Sequence, residues 1–335
     1  MSRRVIPGLE APDPVLESEV RGRLDEVEAA LEKAVRADSD LLAQTASHLL
    51  KAGGKRFRPM LVLLAGYFGD PRDPRLVPGS VSIELVHQAT LYHDDVIDEA
   101  DARHGVQAAN VRWSNTVAIL TGDYLFARAS EISTDLGTDI CALLARTIAT
   151  LCDGQIREVE AAGRLDQTEG AYMEIIRRKT GTLIATSCRL GGMLSDAPLD
   201  SLDVLEEFGE ALGLAFQLSD DIMDLVASER ELEKEPGQDL REGVFTLPVL
   251  HALGHERDGD ELRKLLASGR ADEPGLPRSL EIVRSPENLA HARAAVVAEV
   301  DRARELAGRL PEGTSRTALV QLAEYLAARC GARES

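Results

Sequence analysis

The chain is short of aromatic residues, of positive charge and of long apolar runs, and each shortage removes a class of explanation. Aromatics make up 4% of its 335 positions. Ala, Leu, Glu and Arg dominate instead, a composition that favours helix over sheet. Lys and Arg number 38 against 57 Asp and Glu, a formal net charge of -19. A nucleic-acid backbone or an anionic lipid surface is therefore not the expected partner. The early apolar stretch Met60–Phe68 is too short to span a bilayer. Met1–Pro14 has two arginines but no apolar h-region, so it does not read as a signal peptide. The four cysteines, Cys141, Cys152, Cys188 and Cys330, lack CxxC spacing, as suits reduced thiols. A 44% hydrophobic content excludes a disordered chain. These features together describe a cytoplasmic, mostly helical protein with no transmembrane segment.

Apolar residues recur at helical spacing along most of the chain. Val15–Arg36 reads as an amphipathic helix with Val20, Leu24, Val27, Leu31 and Val35 inward. Gly53–Gly54 ends a second helix near Leu49, and Pro59 sits in the first turn of the next. Asp70–Gly79, with three prolines, reads as a loop. Helical patterns then run from Val81 to about Ser195, broken near Arg103–Asn110 and Gly163–Thr168, and resume over Leu202–Val226. Ser228–Gly243 is a candidate mobile loop, and Gly254–Asn288 is the least ordered-looking stretch. Helix returns over Leu289–Leu310 and Arg316–Arg329. With no alternating strand runs and no fixed repeat, residues 1–335 read as a single all-α domain, with 1–14 expected to be poorly ordered.

Two segments carry chemistry. Leu91–Asp98 and Leu218–Asp224 each contain Asp-Asp-x-x-Asp: Asp94, Asp95 and Asp98, then Asp220, Asp221 and Asp224. On a helix the first and last Asp of each share a face, one turn apart. One such motif is readily a solvated acidic face, but two in one chain are far beyond chance. The second lies among Leu214, Phe216, Leu218, Ile222, Met223, Leu225 and Val226. Three carboxylates there cost several kcal/mol each unless paired or metal-bound. Clustered hard oxygens without His or Cys companions point to Mg2+, whose open positions substrate phosphates fill.

The cations agree with a phosphate ligand. The chain holds only six lysines. Gly53-Gly-Lys-Arg-Phe-Arg-Pro59 places Lys55, Arg56 and Arg58 at a turn before a helix, a setting that favours phosphate. Lys179-Thr180 lies in a helical run, and Lys234 lies ten residues beyond Asp224. Each alone reads as a solvated charge, and the weight comes from their company.

With these motifs on the page, residues 40–330 resemble the trans-isoprenyl diphosphate synthases of the polyprenyl synthetase family. The resemblance rests on Gly53–Pro59, His93–Asp98, Gly122–Tyr124, Lys179–Thr180, Gln217–Asp224 and Gly237–Leu250. It implies the isoprenoid synthase fold, a single large bundle of antiparallel helices around a deep central cavity, usually as a homodimer. It further implies head-to-tail condensation of isopentenyl diphosphate with an allylic diphosphate. The Asp residues of both motifs would hold three Mg2+ on the allylic diphosphate, with Mn2+ as a substitute. Arg103, Lys179 and Lys234 would hold that diphosphate too, while Gly54, Lys55, Arg58, His87 and His104 grip isopentenyl diphosphate. Thr180 and Gln217 would face the allylic cation. Upstream of Asp94, Ala89 and Thr90 occupy places where short-chain members carry bulky side chains. Val86, a turn further back, is no confident plug, so a product longer than geranylgeranyl is expected.

Three departures weaken anion contacts: His104 and Gln155 replace a usual arginine and glutamate, and Val244 replaces a usual lysine. The rival readings are a non-catalytic partner subunit of a prenyl synthase and, less well matched, a class I terpene cyclase. The cyclase reading fails on Asp224 and Ser228, which do not fit a cyclase second motif, and on the Gly-Gly-Lys turn, which a single-diphosphate enzyme does not need.

Overall fold

The computed structural model describes residues 13–226, 237–255, 258–272 and 274–333. Its helices are α1 (Pro14–Ala34), α2 (Asp40–Ala46), α3 (His48–Ala52), α4 (Phe57–Ala65), α5 (Leu76–Ile97), α6 (Ala109–Arg112), α7 (Asn115–Leu136), α8 (Thr138–Ala161) and α9 (Glu169–Ile176). They continue as α10 (Thr182–Leu194), α11 (Leu199–Val226), α12 (Gln238–Glu242), α13 (Leu247–Gly254), α14 (Gly259–Leu265), α15 (Leu276–Val283), α16 (Pro286–Gly308) and α17 (Thr314–Arg329). Among the described residues the only strands are Ala102–Arg103 and Val106–Gln107, one antiparallel hairpin. The protein is all-α.

Two compact units divide the chain. Unit 1 comprises residues 1–148, 183–209 and 306–319, and unit 2 comprises 149–182, 210–305 and 320–335. In unit 1, α4 is apolar throughout, and every residue from Pro59 to Ala65 is buried. Leu49, Met60, Leu61, Leu64, Ile83, Leu85 and Tyr92 are fully enclosed, each apolar side chain contributing about 1.5–3 kcal/mol. The Tyr92 hydroxyl donates to the Thr45 carbonyl and accepts from the Leu49 amide, which ties α5 to α2 and α3. Ser315 at the start of α17 donates to the Leu64 carbonyl at 2.6 Å, anchoring distant sequence onto α4. In unit 2 the core includes Leu212, Leu214, Leu218 and Ile222 of α11, with Leu262, Val296, Val300, Leu322 and Leu326.

Side chains define several starts. Asp13 accepts from the Val15 and Leu16 amides and Pro14 opens α1, so ordered structure begins inside the tail expected to be loose. Residues 1–12 lie outside the described residues. The expected loop Asp70–Gly79 ends early, because Pro78 and Gly79 fall in the first turn of α5, where a missing N–H costs nothing. The second helix does not stop at Leu49: α3 reaches Ala52, and Gly53 ends it at φ 104. Gly254–Asn288, the least ordered-looking stretch by composition, is largely helical over its described residues. It folds as α14 and α15, which bury Leu262, Leu276, Ile282 and Val283. Residues 227–236 of the expected mobile loop lie outside the described residues, and Gln238–Glu242 forms a helical turn between two left-handed glycines.

Candidate active site

In unit 1, α5 carries the first Asp motif at its C-terminal end. Carboxylates there oppose the helix dipole at about 0.3–1 kcal/mol each, a placement that makes sense where cations gather. Asp94 is half-buried and Asp98 exposed, one turn apart on the same face. Asp95 differs. It is fully buried and accepts from Arg103 Nε at 2.8 Å. Its second oxygen, Oδ2, is enclosed without a hydrogen-bond partner. Burial raises its pKa, against the lowering effect of Arg103, His104 and the Ala109 amide.

Arg103 and His104 reach the site on the hairpin, in which Arg103 pairs with Val106. The intervening His104 and Gly105 both have positive φ, 51° and 72°, the signature of a two-residue type I′ turn. His48 clamps this hairpin, with Nε2 at 2.8 Å from the Gln107 carbonyl and its ring edge-on to Trp113.

The Gly-Gly-Lys turn precedes α4. Arg56, in left-handed backbone at φ 49, does not face a ligand. It is buried against Glu28 and Glu84, at 2.7 and 3.1 Å, and against the Leu50 carbonyl. Lys55 and Gly54 are both exposed. Arg58 has its Nε enclosed without a hydrogen-bond partner, and burial pulls its pKa down to about 10, against Glu84. His87, two turns before Asp94, is held well below the usual imidazole range by burial and then by Arg58, His104, Arg103 and Arg56. Cations that suppress one another's charge form a site that an anion would relieve.

In unit 2, α11 carries the second motif. Asp220, part-exposed, pairs with Arg329, which also donates to Ser219 and stacks over Phe216. Asp221 points the other way, into the interior. It accepts from the Tyr172 hydroxyl and from Gln217 Nε2 at 2.7 Å, and burial raises its pKa to about 6. Gln217 Oε1 in turn accepts from Thr180 Oγ1 at 2.8 Å. Thr180–Gln217–Asp221–Tyr172 is thus one buried polar chain. Asp224, one turn after Asp220, is 3% exposed.

Thr180 and Lys179 sit on a π-helical turn, Arg177–Gly181, between α9 and α10, a wide turn that recurs at functional sites. Two glycines let neighbours approach it. A Cβ on Gly154 of α8 would lie 2.8 Å from the Lys179 nitrogen, and one on Gly213 of α11 would lie 2.7 Å from Gly181 Cα. Lys179 pairs with Glu158. Lys234 lies outside the described residues. Gln155 and Val244 are half-buried, and neither side chain supplies a cation. Ala89 and Val86 are fully enclosed, while Thr90 is half-buried and donates to the His87 carbonyl.

Sequence reasoning missed Tyr172, Arg329 and Glu158, which carry no local motif. For a metal, the donors fit Mg2+: Asp94 with Asp98, and Asp220 with Asp224, each offer oxygen-only pairs at i and i+4. The described residues contain no helix long and apolar enough to cross a membrane.

Comparison with known proteins follows this geometry. Residues 39–283 match the polyprenyl synthetase family. The chain is 38% identical over 330 residues to nonaprenyl diphosphate synthase of Mycobacterium tuberculosis, covering 98% of each. It is 40% identical to heptaprenyl diphosphate synthase component 2 of Geobacillus stearothermophilus, covering 90% of this chain and 94% of that one. Its fold matches geranylgeranyl pyrophosphate synthase of Corynebacterium glutamicum, solved with calcium and isoprenyl diphosphate. That match has TM-score 0.85 and 41% identity, and covers 96% of this chain and 99% of that one.

Proposed function

The chain belongs to the polyprenyl synthetase family, and from that premise we propose that it joins isopentenyl diphosphate to an allylic diphosphate, making a trans-polyprenyl diphosphate longer than geranylgeranyl. One observation carries the reading. His87, around which Arg56, Arg58, Arg103 and His104 gather, lies on the same helix as Asp94, about 10 Å along it. A metal-type diphosphate site beside a metal-free one is what a reaction between two diphosphates needs.

Asp94, Asp98, Asp220 and Asp224 would hold Mg2+, three ions per site with Mn2+ as a substitute. When bound, the metal neutralises the departing diphosphate. Asp95 and Asp221, turned inward onto Arg103 and Tyr172, position the helices that carry the ligands. Arg103, Lys179 and Lys234 would bind the allylic diphosphate. Arg58, His87, His104, Lys55 and the Gly54 backbone would bind isopentenyl diphosphate. Loss of diphosphate leaves an allylic cation, which the double bond of isopentenyl diphosphate attacks, and a proton then departs. Thr180 orients the Gln217 amide towards that cation, and apolar walls exclude the water that would quench it. Small side chains at Ala89 and Thr90 support the long product. The exposed Val111, Ile119 and Leu120 on α6 and α7 support pairing with a second copy.

The test is purified protein with Mg2+, labelled isopentenyl diphosphate and each allylic primer in turn. Chain elongation is expected, with collapse in Asp94→Ala and Asp220→Ala. A loss under about tenfold, roughly 1.4 kcal/mol of barrier, would deny these carboxylates the ligand role. A second reading, a subunit active only with a partner, is favoured by the likeness to a heptaprenyl synthase component 2. Activity of the isolated chain refutes it.

A further inference from the structure

A second set of metal-competent side chains lies within unit 2, apart from the Asp motifs. Glu169 opens α9, His251 lies in α13 and His291 in α16. One ligand atom from each lies within 4.8 Å of the other two. His291 Nε2 is 3.1 Å from Glu169 Oε2, and His251 Nδ1 is 3.7 Å from Glu169 Oε1. The His251 and His291 rings stack 3.9 Å apart and nearly parallel. His255 adds its Nε2 at 3.2 Å from His251 Nε2, with Glu287 behind it at 3.9 Å. Three of the chain's seven histidines thus gather at Glu169, two from the segment His251–His255 and one from α16.

The donor set is nitrogen, nitrogen and oxygen. Mg2+ prefers oxygen alone in strict octahedral geometry, whereas imidazole suits zinc, nickel, copper and cobalt. A tetrahedral ion about 2.1 Å from each donor needs them about 3.4 Å apart. The observed spread closes to that by side-chain rotation, which the partial exposure of all three permits.

We propose that Glu169, His251 and His291 form a site for one zinc-class divalent transition-metal ion, with a water completing the shell. The ion would clamp α9, α13 and α16. Tyr172, one turn after Glu169, donates to Asp221, and the same helical run continues to Lys179. The clamp therefore fixes the start of the element that bears them.

The test uses the full chain without a polyhistidine tag, stripped with chelator and held in excess Mg2+ to fill the carboxylate sites. Titration with Co2+ should produce a visible ligand-field band that saturates near one equivalent and is lost on adding one equivalent of Zn2+. Zn2+ should also raise the melting temperature. The His251→Ala/His291→Ala double variant should lose both effects while keeping its circular dichroism spectrum, and Glu169→Gln should weaken Co2+ binding at least about tenfold. If the double variant does not fold, His291→Gln alone serves as the same comparison. No band in the wild type, or a band of equal strength and affinity in the folded variant, overturns the proposal.

Discussion

Adding one methyl group at Gly213 tests the active-site scaffold without touching any polar group. The Cβ of Gly213→Ala would lie 2.7 Å from Gly181 Cα, about 0.7 Å short of an ordinary contact, and the obstacle is backbone. Neither partner can rotate away, so α11 and the π turn must separate. Overpacking of this kind costs about 1–3 kcal/mol. At about 2 °C per kcal/mol for a chain of this size, the melting temperature should fall by about 2–6 °C. Activity should fall further than stability. The Thr180 to Gln217 hydrogen bond crosses the same gap, four residues along α11 from Gly213, and starts from 2.8 Å. Displacements approaching 1 Å cost up to about 100-fold in rate. Gly22 in α1, with nothing within 4 Å of its virtual Cβ, is the matched control. Gly22→Ala should gain about 0.5–1 kcal/mol. The assays are differential scanning calorimetry and steady-state elongation. A Gly213→Ala protein that melts with the wild type and keeps its kcat would refute the close crossing of α11 and the π turn.

Three further outcomes follow from the site. His87 is neutral in the free protein, and a bound diphosphate raises its pKa, so the complex takes up a proton; KM for isopentenyl diphosphate should rise as pH rises through the bound-state pKa, and His87→Gln should flatten that slope. His104→Arg should lower KM for isopentenyl diphosphate more than for the primer, because a guanidinium offers a permanent charge and a bidentate fork that an imidazole does not; equal effects on both substrates would remove position 104 from that diphosphate. Ala89→Phe should shorten the products while leaving metal dependence intact, read by chromatography of the dephosphorylated alcohols; a wild type that already stops at geranylgeranyl would place the floor elsewhere.

What the sequence revealed, and what it hid, follows from the range of each interaction. The all-α class and both Asp motifs were legible because helical periodicity and i,i+4 spacing are local. The inward turn of Asp95 and Asp221 was also within reach, since successive helical residues point about 100° apart. Their partners were not: Tyr172 is 49 residues from Asp221, and no local pattern links them. Helices α14 and α15, of seven and eight residues, are too short to display two periods amid glycine, proline and charge. Pro78 looked like a loop marker because a proline inside a helix's first turn and one outside it have the same local sequence. The convergence of Glu169, His251 and His291 needs three helices brought together, which only tertiary structure shows.

The π turn at Arg177–Gly181 also sets the rotational phase of its helical run. A five-residue turn within an α-helical run is what a single inserted residue leaves behind when the flanking helix is too well packed to unwind. Deleting one residue there would return the run to regular helix and swing Lys179 and Thr180 by about 100° relative to Tyr172. The number of residues between Tyr172 and Thr182 therefore decides which face of the run carries Lys179 and Thr180.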